Sequence, residues 1–298
     1  MSARAIDRTM PDFEKPGVRC ETVEKFLASL PEDPVFDLTV TSPPYDIGKA
    51  YEHRVPLEEY VAWQKQIITE IWKRTKPCGS ICWQVGNWVD KGEIRPLDIV
   101  LTPLFWELGM KMRNRIVWHF GHGTHAKTRF SGRYETIIWF TKGDDYTFNL
   151  DAVRVPSKYP GKRHFKGEHK GELSGNPLGK NPEDVWDIPN VVGNHVEKTA
   201  HPCQFPVGLV SRLVRALSNP GDLVFDPFAG SGTTAVAAIS EGRRFVGTEV
   251  LPEYARIATD RIVRTLAGKE VWRPAEKPIY DHRKSHLSEL PREWGELQ

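Results

Sequence analysis

The chain has 298 residues, of which 39% are apolar and 27% charged, and its formal net charge is +2. This composition is ordinary for a globular protein with one large domain or two modest ones. The longest apolar runs are too short to span a bilayer, the N-terminus is too polar for a signal peptide, and the four cysteines form no CxxC pair. These features speak against a membrane or disulfide-rich secreted protein, and we expect a reduced, cytoplasmic one.

Helix and strand patterns alternate along most of the chain. Apolar residues at helical spacing predict helices at 22–30, 57–74, 96–108, 205–217, 233–241 and 252–266. Short β-branched and aromatic runs predict strands at 37–41, 80–85, 115–120, 135–142, 222–226 and 244–249. Such alternation indicates a parallel or mostly parallel sheet that is covered by helices on both faces.

The middle of the chain breaks this pattern. Residues 145–200 are rich in Gly, Pro, Lys, Asn and His and have little periodicity, and such long irregular segments are more often functional than filler. Basic residues concentrate at 111–135 and 151–180, although the net charge of the chain is small. A locally basic surface suits a polyanion such as nucleic acid, whereas charge alone is more typical of a solvated surface.

The first strand raises the question of why it stops at Ser42-Pro43-Pro44-Tyr45. Two consecutive prolines fix φ near about −65° and remove two N–H donors, so strand pairing cannot continue. The serine and the tyrosine are then held at the carboxyl end of a strand, where ligands bind in open α/β sheets. The alternative is a proline-rich turn that only ends the strand.

The segment GDLVFDPFAGSGTTAVAAISEGRRFVGTEV predicts a strand, a glycine loop, a helix and a second strand. Glycines at 230 and 232 let the backbone approach a ligand closely, and the helix that follows offers free N–H groups to an anion. Glu249, at the end of the second strand, is placed to hold ribose hydroxyls, so a nucleoside-bearing cofactor is expected. A dinucleotide site would require GxGxxG, whereas this loop reads G-S-G after Asp226-Pro227-Phe228.

Together these segments resemble the DNA amino-methyltransferases, which use S-adenosyl-L-methionine. DPFAGSGTT is similar to their cofactor motif, and TSPPY is similar to their catalytic motif, in which Asp, Asn or Ser precedes Pro-Pro and an aromatic residue. HPCQFP (201–206) is similar to their HPTQKP segment, with Cys203 and Phe205 in place of threonine and lysine. TKPCGS and RYETIIWFTKG resemble further family segments. The catalytic motif comes first and the cofactor motif last, which is the permuted order of the family's β group.

The resemblance implies a Rossmann-like α/β methyltransferase sheet with an inserted, irregular target-recognition region. The expected organisation is an N-terminal arm (1–19), a catalytic half (20–144), the target-recognition region (145–200), a cofactor-binding half (201–270) and a C-terminal tail (271–298). Trp63, Trp72 and Trp106, at helical spacing, are expected in the core. The histidines at 119, 122 and 125 are separated by glycines, and we expect no metal site.

The resemblance also implies site residues. Ser42, Pro43, Pro44 and Tyr45 are the expected catalytic residues: the Ser42 hydroxyl and the Pro43 carbonyl would accept hydrogen bonds from the target amine, and Tyr45 would stack on a flipped base. The expected cofactor-binding residues are Thr41, His201, Pro202, Gln204, Asp226, Pro227, Phe228, Gly230, Ser231, Gly232, Thr233, Thr234 and Glu249. The expected DNA-binding residues are His122, His125, Lys127, Arg129, Lys162, Arg163 and Lys166.

The implied activity is methyl transfer from S-adenosyl-L-methionine to an exocyclic amine in double-stranded DNA. Ser42 favours cytosine N4, because the family's adenine enzymes mostly carry Asp at this position; adenine N6 is the alternative. Other classes left open are a methyltransferase of RNA, protein or a small molecule, a dinucleotide-dependent oxidoreductase, and a catalytically silent DNA-binding module. The expected partners are DNA and a restriction endonuclease that acts on the same site without direct contact. The chain itself is expected to be a monomer or a homodimer.

Overall fold

The computed structural model describes residues 13–45, 55–123 and 125–279. Within them, eight strands form one large sheet and two more form a hairpin. The strands of the large sheet are β1 (Gly17–Arg19), β2 (Phe36–Thr41), β3 (Thr75–Val85), β6 (Lys111–His119), β7 (Tyr134–Thr141), β8 (Val185–Asp187), β9 (Leu223–Asp226) and β10 (Arg244–Thr248). The hairpin consists of β4 (Asn87–Asp90) and β5 (Glu93–Pro96). The helices are α1 (Val23–Ser29), α2 (Leu57–Arg74), α3 (Leu97–Glu107), α4 (Val207–Leu217), α5 (Thr233–Ser240) and α6 (Pro252–Leu266), with a 3-10 turn at Leu150–Val153.

The large sheet has the strand order β1-β10-β9-β2-β3-β7-β6-β8. The five strands from β1 to β3 are all parallel, β7 is antiparallel to both of its neighbours, and β8 is parallel to β6. The predicted mostly parallel α/β sheet is therefore confirmed. The parallel arrangement also brings the ends of β2, β9 and β10 to one edge, because parallel neighbours have their carboxyl ends on the same side.

Helices cover both faces of this sheet, and successive strand residues point to opposite sides. On β3, Ile81 and Trp83 join a core with residues of α1, α2 and α3, whereas Cys82 joins a second core with residues of α4, α5 and α6. All three side chains are fully buried. This alternation is the period of two that a strand imposes, and it explains why the strands read as continuous apolar runs.

All six helices predicted from apolar spacing are present, each within two residues of its predicted bounds. The structure adds four short strands that the sequence does not reveal: β1, β4, β5 and β8. Each has only three or four residues, which is too few to show an alternating pattern. Strand β1 lies within the expected N-terminal arm, and β8 lies within the expected recognition region.

The irregular segment is not uniform. Residues 158–178 are all exposed, whereas Trp186, Ile188 and Val191 are buried and Trp186 and Ile188 pack into the second core. Only the earlier part therefore projects from the fold. Of the three tryptophans expected in the core, Trp106 is 57% exposed, so that expectation is wrong for this residue. Helical spacing alone does not say which turn of a helix the neighbouring element reaches. No helix in the described ranges is long and apolar enough to cross a bilayer.

The buried carboxylate of Glu197 fixes the start of α4. Its Oε2 accepts a hydrogen bond from the Val207 N–H at 2.8 Å, and its Oε1 accepts one from the Arg273 N–H at 3.0 Å. The side chain is only 2% exposed. One residue thereby satisfies a free N–H of a helix N-terminus and holds the segment after α6 against it.

We predict that Glu197→Gln lowers the free energy of unfolding by about 1–3 kcal/mol, because one acceptor oxygen becomes an NH₂ group and a buried N–H loses its partner. Urea denaturation measures the change. Glu168→Gln, at an exposed position, is the matched control and should stay within about 0.5 kcal/mol of the parent. Equal stability of the two variants would contradict this role for Glu197.

Candidate active site

A cavity of about 420 Å³ opens at the edge where β2, β9 and β10 end. Its volume lies in the range typical of small-molecule and cofactor sites. The segment after β2, the loop after β9 and the residues after β10 all line it, although they come from distant parts of the chain. The lining includes Ser42, Pro43, Pro44, Tyr45, His201, Pro202, Gln204, Pro227, Phe228, Gly230, Ser231, Thr233 and Glu249.

The carboxylate of Asp226 lies beneath the cavity wall and joins these segments. Its Oδ1 accepts a hydrogen bond from the Thr41 hydroxyl at 2.6 Å and one from the Phe228 N–H at 3.0 Å. Its Oδ2 accepts a bond from the Thr234 hydroxyl at 2.6 Å. Burial raises the pKa of Asp226 to about 6, although the three hydrogen bonds act in the opposite direction. Asp226 therefore ties the end of β2 to the glycine loop and to α5.

Glycine is required at two positions of this loop for different reasons. Gly230 has φ of 51°, and a Cβ there would stand 3.2 Å from His201 Nε2, in the space between the loop and the His201 ring. Gly232 has φ of 77°, and a Cβ there would stand 2.9 Å from the Cα of Ala258, so α6 packs directly on the loop. The first glycine keeps the cavity open, and the second allows close packing behind it.

Arg261 supports the loop from the side of α6. Its side chain is 3% exposed, and its guanidinium donates to the Ser231 carbonyl at 3.0 Å and to the Thr233 hydroxyl at 3.2 Å. Glu270 pairs with the same guanidinium at 2.8 Å. The loop backbone is thus held by a buried, paired charge, which gives it a defined shape without any ligand.

Glu249 follows β10 and lines the cavity. Its Oε2 accepts a hydrogen bond from the Gly230 N–H at 3.0 Å, and its Oε1 accepts one from the Leu251 N–H at 2.8 Å. Burial raises the pKa of this carboxyl above its ordinary value. Each carboxylate oxygen can accept a second bond, so Glu249 is able to bind the hydroxyls of a ribose while it still holds the loop.

The Tyr45 hydroxyl, in the Ser-Pro-Pro-Tyr segment, contacts polar side chains of β3 and β7. The Tyr45 hydroxyl donates to Gln84 Oε1 at 3.1 Å and lies 3.5 Å from Glu135 Oε2 and 3.4 Å from Ser42 Oγ. Gln84 Nε2 in turn donates to Glu135 at 2.5 Å. Burial, and next the Glu135 carboxylate, raise the pKa of Tyr45 well above its usual value. Tyr45 is therefore a neutral side chain whose ring is held in a fixed orientation.

The structure divides the predicted cofactor residues into two layers. Four of them, Thr41, Asp226, Gly232 and Thr234, are outside the cavity lining, and Thr41 and Thr234 both donate to Asp226. The other nine line the cavity directly, and so do all four predicted catalytic residues. A contact between the buried residues and a cofactor stays a prediction, but their mutual hydrogen bonds show what they do in the fold.

The predicted DNA-binding residues are exposed and outside the cavity lining. His122, His125, Lys127 and Arg129 lie on the connection between β6 and β7, and Lys162, Arg163 and Lys166 lie in the exposed stretch 158–178. Of the other basic residues between 111 and 135, Lys111 and Arg113 pair with Asp144 and Arg115 pairs with Asp98, while Arg133 donates to the Gly132 carbonyl at 2.7 Å. Among the described residues, no three His, Cys, Asp or Glu side chains gather as metal ligands.

Several cavity residues are absent from the sequence-based expectations. They are Glu24, Trp63, Gln84, Trp118, Phe120, Glu135, Asn190 and Tyr254. Trp63 illustrates why: it occupies an apolar position of α2, yet it packs on Phe228 at 5.4 Å between ring centroids and donates to Glu24 Oε1 at 2.6 Å. Glu135 could have been found, because it is an acid at the start of an otherwise apolar strand.

Comparison with known proteins identifies relatives of this chain. A family model described as DNA methylase matches residues 36–260. The chain is 53% identical, over 78% of its length, to the Type II methyltransferase M.BglII of Bacillus subtilis, and it covers 64% of that protein. It is also 34% identical to the DNA adenine methyltransferase YhdJ of Escherichia coli (strain K12), over 79% of each protein.

A solved structure shares the fold. It is a candidate DNA modification methylase from Thermus thermophilus in complex with S-adenosyl-L-methionine. The two chains are 27% identical with a TM-score of 0.61, and the match covers 85% of this chain and 97% of the other. The fold of this chain is therefore shared with a protein whose structure is known in complex with S-adenosyl-L-methionine.

We predict that the buried Asp226 makes stability depend on pH. Because its pKa rises from 3.8 to about 6 on folding, the native state holds the proton more tightly, and stability falls as pH rises from about 4 to about 6. Asp226→Asn removes this titration. Between pH 4 and pH 7, the unfolding free energy of the parent should fall relative to that of the variant by about 2–3 kcal/mol.

Urea denaturation of both proteins at the two pH values measures this difference, and titrating groups that do not interact with Asp226 cancel. Asp260→Asn, at an exposed position, is the control. The difference in unfolding free energy between the parent and this variant should change by less than about 0.5 kcal/mol between pH 4 and pH 7. A difference between parent and Asp226→Asn that is the same at both pH values would disprove the raised pKa.

Proposed function

The chain belongs to the DNA methylase family, and we propose that it is a site-specific DNA methyltransferase that uses S-adenosyl-L-methionine. The proposed reaction moves a methyl group to the exocyclic N4 amine of a cytosine that is flipped out of the duplex. The observation that carries this proposal is the meeting of two motifs in one cavity. Ser42-Pro43-Pro44-Tyr45 and the glycine loop line the same space, and the bond from Thr41 to Asp226 joins their strands across 185 residues of chain.

The residues around the glycine loop fit the proposed cofactor. A side chain at Gly230 would fill the space beside His201, which marks this space as one kept free. Glu249 offers acceptor oxygens for ribose hydroxyls, and the segment from His201 to Gln204 covers the other side of the loop. S-adenosyl-L-methionine, when bound, supplies an activated methyl group on a sulfonium, so the protein itself needs no metal or covalent nucleophile.

The work left to the protein is to orient the amine. The lone pair of an exocyclic amine is delocalised into the base ring, so the nitrogen must move toward sp³ geometry before it attacks. The Ser42 hydroxyl and the Pro43 carbonyl are the acceptors proposed to draw its two protons out of the ring plane. Tyr45, held by Gln84, is proposed to stack on the base and keep it in line with the methyl group.

Ser42 also supports cytosine as the target. The family's adenine enzymes mostly carry Asp at this position, and an Asp is the stronger acceptor for amine protons. Adenine N6 remains the second candidate, because the Escherichia coli relative at 34% identity is a DNA adenine methyltransferase. Both candidate reactions use the same cavity and the same cofactor, so the identity of the methylated base has to be tested separately.

We propose that DNA contacts come from two exposed basic segments. One is the connection from β6 to β7, with Lys127 and Arg129, and the other is the stretch 158–178, with Lys162 and Arg163. The second stretch is fully exposed and contributes little to the core, as expected of a segment that can vary its target. It lies within the region, 145–200, proposed to choose the DNA sequence.

The test of the proposed function is methylation of DNA by the purified chain. We expect transfer of label from tritiated S-adenosyl-L-methionine to genomic DNA, and N4-methylcytosine in the digested product by mass spectrometry. Sequencing with detection of modified bases then gives the target site. N6-methyladenine would refute the base assignment alone. No modified base in any duplex DNA would refute the DNA methyltransferase proposal.

We predict that Gly230→Val abolishes cofactor binding, because the side chain enters the cradle beside His201 and strains a backbone with positive φ. Glu249→Ala should weaken binding by about 1–3 kcal/mol through lost ribose bonds. Calorimetric titration with S-adenosyl-L-methionine measures both. Glu253→Ala, at an exposed position of α6, serves as the control and should bind normally. Unchanged affinity in the first two variants would overturn the assignment of the cofactor site.

We predict that Ser42→Ala slows the methyl-transfer step while cofactor and DNA still bind. The expected loss is about 2–4 kcal/mol of barrier, because the lost acceptor acts most strongly as the nitrogen becomes sp³. Single-turnover kinetics isolate this step. Ser240→Ala, a serine at the end of α5 and outside the cavity lining, is the matched control. A normal single-turnover rate for Ser42→Ala would remove Ser42 from the mechanism.

We predict that replacing Lys162, Arg163 and Lys166 together by Ala weakens DNA binding and flattens its salt dependence by up to about three units of log–log slope. Cofactor affinity should not change. Fluorescence anisotropy with a labelled duplex at several salt concentrations measures the slope. Lys65→Ala, on α2, is the control and should leave it unchanged. A normal slope in the triple variant would place the phosphate contacts elsewhere.

A further inference from the structure

The connection between β6 and β7 projects from the rim of the cavity. We call residues 121–132, which apart from residue 124 are described, the β6–β7 loop. The Phe120 N–H donates to the Arg133 carbonyl at 2.8 Å and closes the base of this loop. Phe120 and Glu135, on either side of that closure, both line the cavity. The base of the loop therefore adjoins the cavity wall.

Hydrogen bonds give the loop a defined shape. The Ala126 N–H donates to Ser131 Oγ at 3.0 Å across the tip, and the Asn190 side chain donates to the His122 carbonyl at 3.4 Å. Asn190 itself lines the cavity. The tip is thus closed by its own bond, and the beginning of the loop is attached to the cavity wall.

The tip presents an aromatic side chain to solvent. Phe130 is 100% exposed, although it belongs to a residue type that is usually buried. Lys127 and Arg129 lie beside it in sequence, and residues 121–134 contain no Asp or Glu. Single exposed apolar residues are common on protein surfaces. This one differs because it stands at the tip of a closed, acid-free loop whose base adjoins the cavity.

We propose that Phe130 inserts into the DNA base stack beside the target and occupies the space that the flipped base leaves. This inference rests on the proposed function and names a residue for a step that it requires. Flipping a base has an unstacking cost, and apolar side chains that enter the stack offset such costs. Lys127 and Arg129 would hold the neighbouring phosphates while the Phe130 ring covers the exposed faces of the adjacent bases.

Phe165 is the matched comparison. It is 90% exposed and also has basic neighbours, Arg163 and Lys166. The stretch 158–178, however, has no cavity-lining residue at either of its ends, whereas the β6–β7 loop lies between Phe120 and Glu135, which both line the cavity. If Phe165 contacts DNA, it does so away from the target base. Its removal should therefore weaken binding to the same extent whether or not the target base is paired.

The experiment compares Phe130→Ala, Phe165→Ala and the parent on two duplexes that carry the methylation site found by sequencing. In one duplex the target base is paired, and in the other it faces an abasic position, so that little pairing remains to be broken. We expect Phe130→Ala to lose about tenfold or more in kcat/KM on the paired duplex and to return to within about threefold of the parent on the abasic one. Phe165→Ala should change by one common factor on both, and Phe130→Trp should retain activity.

An equal loss for Phe130→Ala on both duplexes, or no loss on either, would overturn the inference. Circular dichroism and the affinity for S-adenosyl-L-methionine verify that the variant is folded, which is expected for a fully exposed position. Failure of the proposed function gives a different result, because the parent protein then methylates neither duplex, and the inference falls with it. The activity of the parent protein thus distinguishes a failure of the inference from a failure of the proposed function.

Discussion

The site depends on the hydrogen bonds that the buried carboxylate of Asp226 accepts. This carboxylate accepts bonds from Thr41 at the end of β2, from the Phe228 N–H in the glycine loop and from Thr234 in α5. Removal of any partner would leave a buried acceptor or donor unsatisfied. The carboxylate is costly to bury, as its raised pKa shows, and each of the three donors offsets part of that cost. The hydrogen bonds at Asp226 therefore favour correct placement of both halves of the site together.

The pairing of β2 with β9 explains how the two motifs meet at one edge of the sheet although they lie far apart in the sequence. The chain makes β2 before β9, but hydrogen bonding places them side by side, with Leu38 opposite Val224 and Thr39 opposite Phe225. The stacked rings of Phe36 and Phe225, 4.3 Å apart, add to the same contact. Since strand neighbours are chosen by pairing and packing, the order of the motifs along the chain does not alter the edge at which they meet. The connections only have to be long enough to reach.

Sequence patterns predicted the helices and the long strands because their apolar residues recur at a clear period. They missed β1 and β8, whose three residues show no period, and they did not reveal that the Asp226 side chain is buried and bonded to Thr41 and Thr234. An acid at the end of a strand faces the ligand or the interior according to the pleat, and one residue of register decides which. Gln84 was hidden because it lies in a strand that otherwise consists largely of core residues. Glu135 stands out in the sequence as an acid at the start of an apolar strand, but only the pairing of β3 with β7 brings both side chains to Tyr45.

The residues that line the cavity and the exposed residues around it differ in how firmly the fold holds them. The residues that line it are attached to strand ends and are held by buried bonds, as Arg261 holds the loop at Ser231 and Thr233. The β6–β7 loop and the stretch 158–178 have few buried side chains, so substitutions there remove little core packing. A methyl transfer needs fixed geometry, whereas a choice among DNA sequences needs side chains that are free to change. In the proposed function the edge of the sheet meets the first requirement and the exposed connections meet the second, and the two adjoin at the base of the β6–β7 loop, at Phe120 and Arg133.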